Sequence, residues 1–383
     1  MSHNIPCRFC GGTCHLPALL SYPESPRSAQ GFLDSPQDLD EVVDLHIYQC
    51  GDCGLVQHDL EPVGYYRDVI RAIAFSQEMA QYRLDQLSRW ISRFELSDRR
   101  ILEIGSGEGE YLELLARAGA QKCSGLESSV SSVTFAQGRG LDVQPGYLGP
   151  DLINPWPFEF EAFAIFSFME HWPDLRGSLG ALRGLLKDGA HGLVEVPSFD
   201  FVLANGLYSE FTVDHIFYFD QTTLRTVLEV CGFEVIEISS VWHDYILSAQ
   251  VRKRRTLNTE RFHMKQERII RELNAFVDRF APHEVVVWGA GHQALAVMSL
   301  AHIQGRISHV LDSASFKQDK YTPGTRLLIK APESLRADCP KAVVIMAAAY
   351  SDEVLETLNH KYPLVENVAI LREDSLEVVK GGH

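Results

Sequence analysis

Two short stretches of the chain carry residue types whose spacing suits chemistry. In "ILEIGSGEGE" (101–110) an acid, Glu103, runs into Gly105-Ser106-Gly107-Glu108-Gly109 ahead of an amphipathic helical pattern. Glycines there let a ligand approach the backbone, and the helix start adds exposed N–H donors. About twenty residues on, "CSGLESS" ends a second apolar run at Glu127-Ser128, where a carboxylate can accept hydrogen bonds from ribose hydroxyls. The G-x-G-x-G spacing departs from the dinucleotide G-x-G-x-x-G. Glu103 beside the loop repels a pyrophosphate and suits a cationic amino-acid cofactor. The expected ligand is S-adenosyl-L-methionine (SAM) in preference to NAD, held by Glu103, Gly105, Gly107, Gly109, Glu127 and Ser128.

The second stretch, "SEFTVDHIFYFD" (209–220), sets Asp214-His215 among aromatic residues. An imidazole titrating near neutrality suits proton removal, and an apolar setting keeps it neutral. His215 is therefore the candidate base. Its neighbour Asp214 is expected to point elsewhere if the segment is extended. His171, in "MEHWPD", either faces the reacting group or caps a helix, and Glu170 reads as structural. A third constellation, Cys7-x2-Cys10 with Cys50-x2-Cys53, can wrap four thiolates around a structural zinc ion (Zn2+), with Cys14 and His15 as nearby spares. The gap between the pairs is longer than in common zinc ribbons. A redox reading lacks the surrounding βαβ pattern.

The elements that must position these residues follow from periodicity. The first stretch, to about residue 65, reads as loop-dominated. "FSQEMAQYRLDQLSRWISRF" (75–94) predicts a helix capped by Ser76. From Arg100 to Val251 apolar runs alternate with helical patterns, which predicts a mainly parallel, doubly covered α/β sheet. The basic run Arg252 to Arg255 reads as exposed, ahead of a packed connecting helix. At "HEVVVWGAGHQALAVMSLA" a second strand, glycine turn and helix begin another α/β unit. The formal charge of −16 disfavours a nucleic-acid partner. No apolar run has membrane-helix length and "MSHNIPCRFC" lacks a signal-peptide core, so a cytoplasmic protein is expected.

With these residues in place, the sequence resembles class I SAM-dependent methyltransferases. "ILEIGSGEG" looks like their first motif, "GLESS" the second, and "FAIFSFMEHWPDL" the fourth-strand motif, with "LRGLLKDGAHGLVEVP" similar to the helix, turn and strand that follow. The resemblance implies that Gly105, Gly107 and Glu127 hold methionine and ribose and that Met169 lies by the adenosine or sulfonium. Where the family often has an acid, early in the fourth strand, this chain has Phe163-Ala164.

Over nearly its whole length the chain is also similar to sugar C-methyltransferases of deoxysugar biosynthesis, which act on nucleotide-linked 4-keto sugars. Lys317-Gln318 and Tyr321-Thr322-Pro323-Gly324 carry that likeness in the terminal half. It implies a zinc-binding module (1–65), a SAM-dependent methyltransferase domain (66–251) and a Rossmann-like C-terminal substrate-binding domain (252–383). By the same resemblance Gly289-x-Gly291 with Asp312 is not a dinucleotide site. Lys317 and Tyr321 are candidates to hold a nucleotide diphosphate sugar, because an acidic protein needs local cations for an anionic substrate. The family's Tyr-His-Glu-His run falls on Thr212-Val213-Asp214-His215, so two of its positions differ here. The expected reaction is methyl transfer to a carbon made nucleophilic as an enolate. O- or N-methylation is the alternative, and a nicotinamide-dependent oxidoreductase the second.

Overall fold

The computed structural model describes residues 5–30, 32, 34–35, 41–65 and 76–381. The chain divides into two units, Met1–Thr256 and Leu257–His383.

The cysteine-rich segment is mostly turns and loops, as its composition predicts, but it also holds a small sheet. It forms antiparallel strands β1 (Leu20–Pro26), β2 (Val42–Gln49) and β3 (Val56–His58). In β2 alternate residues Leu45 and Ile47 are fully buried, the period of a strand with one covered face. Helix α1 (Gln77–Arg93) starts where the Ser76 side chain accepts the Met79 N–H, and it buries Leu87, Trp90 and Ile91.

There follow β4 (Arg100–Ile104), α2 (Glu110–Arg117), β5 (Lys122–Glu127), α3 (Val130–Gly138), β6 (Asp142–Pro145), β7 (Phe160–Phe166), α4 (Leu175–Leu185), β8 (Leu186–Pro197), α5 (Phe199–Ala204), β9 (Phe217–Tyr218), α6 (Gln221–Val230), β10 (Phe233–Val241) and β11 (Ile246–Lys253). The strands of the large sheet lie in the order β10-β11-β8-β7-β4-β5-β6. All run one way except β11, which pairs antiparallel with both neighbours. This is a doubly wound, mainly parallel α/β sheet, as the alternation of apolar runs and helical patterns predicts.

Between β5 and β7 the connections leave β4 in opposite directions, which opens a crevice at its carboxyl end. One face is covered by α1, α2 and α3 through Leu87, Trp90, Leu112, Leu115 and Val133. The other face shares a single core with the cysteine segment: Phe9, Tyr48 and Leu55 pack in one cluster with Phe163, Leu179 and Phe219. The two-residue strand β9 adds to β3 through Val56–Tyr218 and Gln57–Phe217.

In the basic run that follows β10, Arg254 and Arg255 are exposed as expected, while Arg252 and Lys253 are half-buried on β11. Arg252 pairs across the hairpin with Glu234, and Lys253 donates to the Leu186 carbonyl.

In the second unit α7 (Glu260–Val277) precedes β12 (Val285–Trp288), α8 (His292–Leu300), β13 (Ile307–Leu311), β14 (Ile329–Lys330), β15 (Ala342–Ile345), α9 (Ser351–Lys361), β16 (Asn367–Leu371) and β17 (Leu376–Lys380). The order β14-β13-β12-β15-β16-β17 is parallel apart from β17, a second Rossmann-like sheet. Among the described residues no helix is long and apolar enough to cross a membrane.

Candidate functional site

The turn after β4 is held open by left-handed glycines, Gly105 at φ 67° and Gly109 at φ 93°. A Cβ on Gly105 would lie 2.6 Å from the Phe168 ring, so that ring closes over the backbone only because the side chain is missing. At the end of β5 the Glu127 carboxylate accepts the Gly107 N–H at 2.8 Å and the Ser129 N–H at 2.8 Å. One side chain thus ties the glycine turn to the start of α3. A carboxylate has about four acceptor positions, so capacity remains for ribose hydroxyls.

These groups border a cavity of about 910 Å³. Gly105, Gly107, Glu108, Glu127, Ser129 and Phe168 are part of its wall. The other expected cofactor residues sit differently. Glu103 is fully buried in β4 beneath the turn, and Gly109 packs against Leu141. Ser128 is not among the wall residues, where Ser129 stands instead. Met169 is fully buried: the short 3-10 turn Met169–His171 sends it into the core and leaves Phe168, Glu170 and His171 on the wall.

The same cavity is also lined by Glu170, His171, Glu210, Thr212, Asp214, His215 and Tyr245, with the His171 ring 6.4 Å from that of Phe168. The His171 Nδ1–H donates to the Asp214 carbonyl at 2.7 Å, which leaves Nε2 with the lone pair. That bond excludes the helix-cap role, which Asp174 fills by accepting the Gly177 N–H. The His171 and His215 rings meet edge to face at 4.9 Å. Burial drives the His171 pKa down to about 3, helped by His215. Burial also lowers that of His215, against an upward pull from Glu210 and then Asp214. Both imidazoles are held neutral.

Asp214 does not turn away from the site. Residues 213–214 form a turn rather than a strand, so both Asp214 and His215 reach the wall. Its Oδ1 accepts the Tyr65 hydroxyl at 2.6 Å and the Ala29 N–H at 3.3 Å, while Oδ2 is buried with no hydrogen-bond partner among the described residues. The segment is tied down on both sides. The Ile216 N–H donates to the Glu170 carbonyl at 2.9 Å, and His58 Nε2 donates to the Val213 carbonyl at 3.1 Å.

Sequence reasoning missed Tyr65, Arg83, Glu210, Trp242 and Tyr245. Arg83 lines the cavity, is ion-paired with the buried Glu195, and lies 5.1 Å from the Phe166 ring. Tyr245 donates to Glu210 at 2.6 Å from beyond a hairpin in which Trp242, His243 and Asp244 all have positive φ. Such a run is strained for residues with side chains, and strain of this kind gathers at functional sites.

The four cysteines converge. Sγ atoms of Cys7 and Cys53 lie 3.7 Å apart and those of Cys10 and Cys50 3.5 Å, and all four fall within 4.8 Å of one another. Zn–S bonds of about 2.3 Å in a tetrahedron give sulfur separations of about 3.8 Å. Backbone N–H groups of Gly12 and Asp52 point at Cys10 and Cys50, as thiolates require. Burial pushes the Cys7 thiol up to about 11, a cost that a divalent cation offsets. The residues fit a zinc ion, and neither Cys14 nor His15 belongs to the cluster.

In the second unit Asp312 accepts the Ala290 and Ala314 N–H groups and the Lys317 ammonium, each at 2.9 Å. The carboxylate at the position that binds ribose in a dinucleotide site is thus taken up by its own loop. Lys317 also donates to the Ala290 carbonyl at 3.2 Å, whereas Tyr321 is 66% exposed.

Residues 79–238 match a methyltransferase domain family, and residues 249–363 match the C-methyltransferase C-terminal domain. The chain is 24% identical to the C-methyltransferase NovU of Streptomyces niveus, over 91% of each protein. A 112-residue stretch is 34% identical to a ubiquinone biosynthesis O-methyltransferase of Xylella fastidiosa, covering 28% of this chain and 44% of that protein. Among solved structures, magnesium protoporphyrin IX methyltransferase from Synechocystis, with bound SAH, superposes with a TM-score of 0.37 at 14% identity, over 48% of this chain and 90% of that one. The plantazolicin methyltransferase BpumL, in complex with SAH, gives 0.38 at 14% identity, over 47% and 86%.

Proposed function

We propose that this chain, a SAM-dependent methyltransferase built from a methyltransferase domain and a C-methyltransferase C-terminal domain, methylates a nucleotide-linked keto sugar at carbon. The observation that carries the reading is a single cavity lined both by the glycine turn with Glu127 and by His171, Asp214 and His215.

Its walls hold Glu108, Glu110, Glu127, Glu170, Glu210 and Asp214 against Arg83, whose charge Glu195 meets. A cationic donor gains from such a surface and a pyrophosphate does not. Gly105, Gly107 and Glu127 would hold SAM, which supplies an electrophilic methyl group. The chain's own part is to generate and align the nucleophile while excluding water.

A sugar carbon becomes nucleophilic when the proton α to a ketone is removed. His215, neutral and facing the cavity, accepts that proton at a ring nitrogen. The Asp214 carboxylate, pinned by Tyr65, offers Oδ2 to a substrate hydroxyl. In the second unit Lys317 and Tyr321 remain the residues proposed to meet the nucleotide diphosphate, and the four cysteines to hold a structural zinc ion. The internal pairing of Asp312 with Lys317 argues against the nicotinamide alternative.

The decisive experiment replaces His215 with asparagine. Binding of SAM or its demethylated product, followed by calorimetry, should persist within about twofold, and methyl transfer to the keto sugar should fall by at least about a hundredfold. Turnover close to wild type overturns the base assignment. O-methylation of a hydroxyl is the product outcome that replaces carbon as the acceptor.

A further inference from the structure

We infer that Glu170, His171 and His215 form a binding site for a divalent transition-metal ion, separate from the four cysteines, in which the ion takes the lone pair that His215 otherwise offers to the substrate proton. One ligand atom from each of these residues lies within 4.8 Å of the others. Two imidazoles and one carboxylate are a donor set that suits zinc, iron, cobalt or nickel and leaves positions open for substrate oxygen or water. All three side chains stand on the cavity wall, so an ion has a path in.

Three further features belong to a metal site. His171 donates its Nδ1–H to the Asp214 carbonyl at 2.7 Å, which fixes the ring and aims the Nε2 lone pair, the usual outer support of a metal-binding histidine. The main-chain bond from Ile216 N–H to the Glu170 carbonyl, 2.9 Å long, clamps the turn bearing Glu170 and His171 to the loop bearing His215. The ligands therefore come from two segments held in fixed register. Glu210 and Asp214 on the same wall add negative charge that raises the local concentration of cations. Metal–nitrogen bonds of about 2.1 Å put donor atoms roughly 3–3.4 Å apart, so the ligands must draw together as the ion binds, chiefly the Glu170 and His215 side chains because the His171 ring is fixed.

The direction of the ion's effect rests on the base reading of His215. Proton and cation compete for one nitrogen, so the ion inhibits methyl transfer.

The test uses full-length protein whose cysteine site is filled with zinc, verified by elemental analysis, and titrates it with Co2+. One further cobalt per chain should bind, with d–d absorption but without the intense thiolate-to-cobalt charge-transfer band. Glu170→Gln and His171→Asn should each weaken that binding at least about tenfold while SAH binding, measured on the same samples, shows that the fold is kept. In the wild type, cobalt should also protect His215 from diethyl pyrocarbonate, a readout that needs no variant. Absence of a second cobalt, or equal affinity in both variants, overturns the site. Saturable binding accompanied by faster methyl transfer keeps the site and overturns the base role of His215 instead.

Discussion

His58 is fully buried on β3 and donates Nε2–H to the Val213 carbonyl. Burial, outweighing the hydrogen bond, brings its pKa down to about 4. The group is neutral when folded and binds a proton near pH 6.5 when unfolded. Its neutral burial therefore costs nothing above pH 6.5, and stability is lost as pH falls from 6.5 towards 4. The loss is on the order of 3 kcal/mol for this residue. His309, buried in the second unit and lowered to about 4, adds a loss of the same sign there. Thermal melts of wild type and His58→Gln at pH 7.5 and pH 5 should show a flatter pH dependence in the variant; parallel curves would remove His58 from the account. Tyr65→Phe is expected to cost about 1.5–3 kcal/mol in denaturant melts, because the buried Asp214 carboxylate loses a hydrogen bond to a charged group. Glu127 and the four cysteines could be picked out in the sequence because each belongs to a local motif, the acid at the end of a strand after a glycine turn and the two Cys-x2-Cys pairs, although the pairs themselves meet across 40 and 46 residues. Tyr65 and Glu210 belong to no such motif, and only the fold brings the former to Asp214 and the latter to Tyr245.

At the scale of elements, the strand-turn-helix around Gly105 to Gly109 was legible because glycine spacing, apolar run and helical period all agree there. The reversed strands β11 and β17 were not, since their runs carry no mark of direction, and β9 is too short to show a period. Which residue of "FMEH" faces the cavity was not legible either, because the 3-10 turn there buries Met169 and turns Glu170 and His171 to the wall. The two turns that shape the cavity make opposite predictions. At Gly109, φ is 93° and a Cβ would lie 2.2 Å from Leu141 Cδ1, so Gly109→Ala should destabilise by about 1–3 kcal/mol and weaken SAM binding. At Asp244, with φ 64° and an exposed side chain, Asp244→Gly should relieve strain and stabilise by about 0.5–1 kcal/mol. Denaturant midpoints decide both, and a stabilised Gly109 variant would contradict the strained-turn account.

For the molecule as a whole, the resemblance reached the parts but not their union: nothing in the sequence reveals that the cysteine segment and the methyltransferase sheet share one core. The shared core follows from a long-range pairing. Strands β1, β2 and β3 continue into β9, the strand that directly follows His215, and Phe9, at the first cysteine knuckle, lies 4.6 Å from the Arg176 guanidinium of α4. The Arg176 Nε–H also donates to the Phe9 carbonyl at 2.7 Å. The cysteine segment thus anchors one side of the loop that bears Asp214 and His215 through β3 and β9, while the glycine turn and Glu127 sit at the ends of β4 and β5, whose ladders run to β7 and β6. Loss of the cluster should therefore disturb the histidine side of the cavity wall more than the glycine turn. A Cys10→Ser, Cys53→Ser variant is expected to lose methyl transfer by at least about tenfold and to melt several degrees lower, yet to retain SAH binding in calorimetry. If turnover survives in protein shown by elemental analysis to be free of metal, the cluster does not support the loop. If SAH binding disappears with turnover while the far-ultraviolet spectrum is unchanged, the two parts of the wall are mechanically one, and the glycine turn depends on the cysteine segment through the shared core.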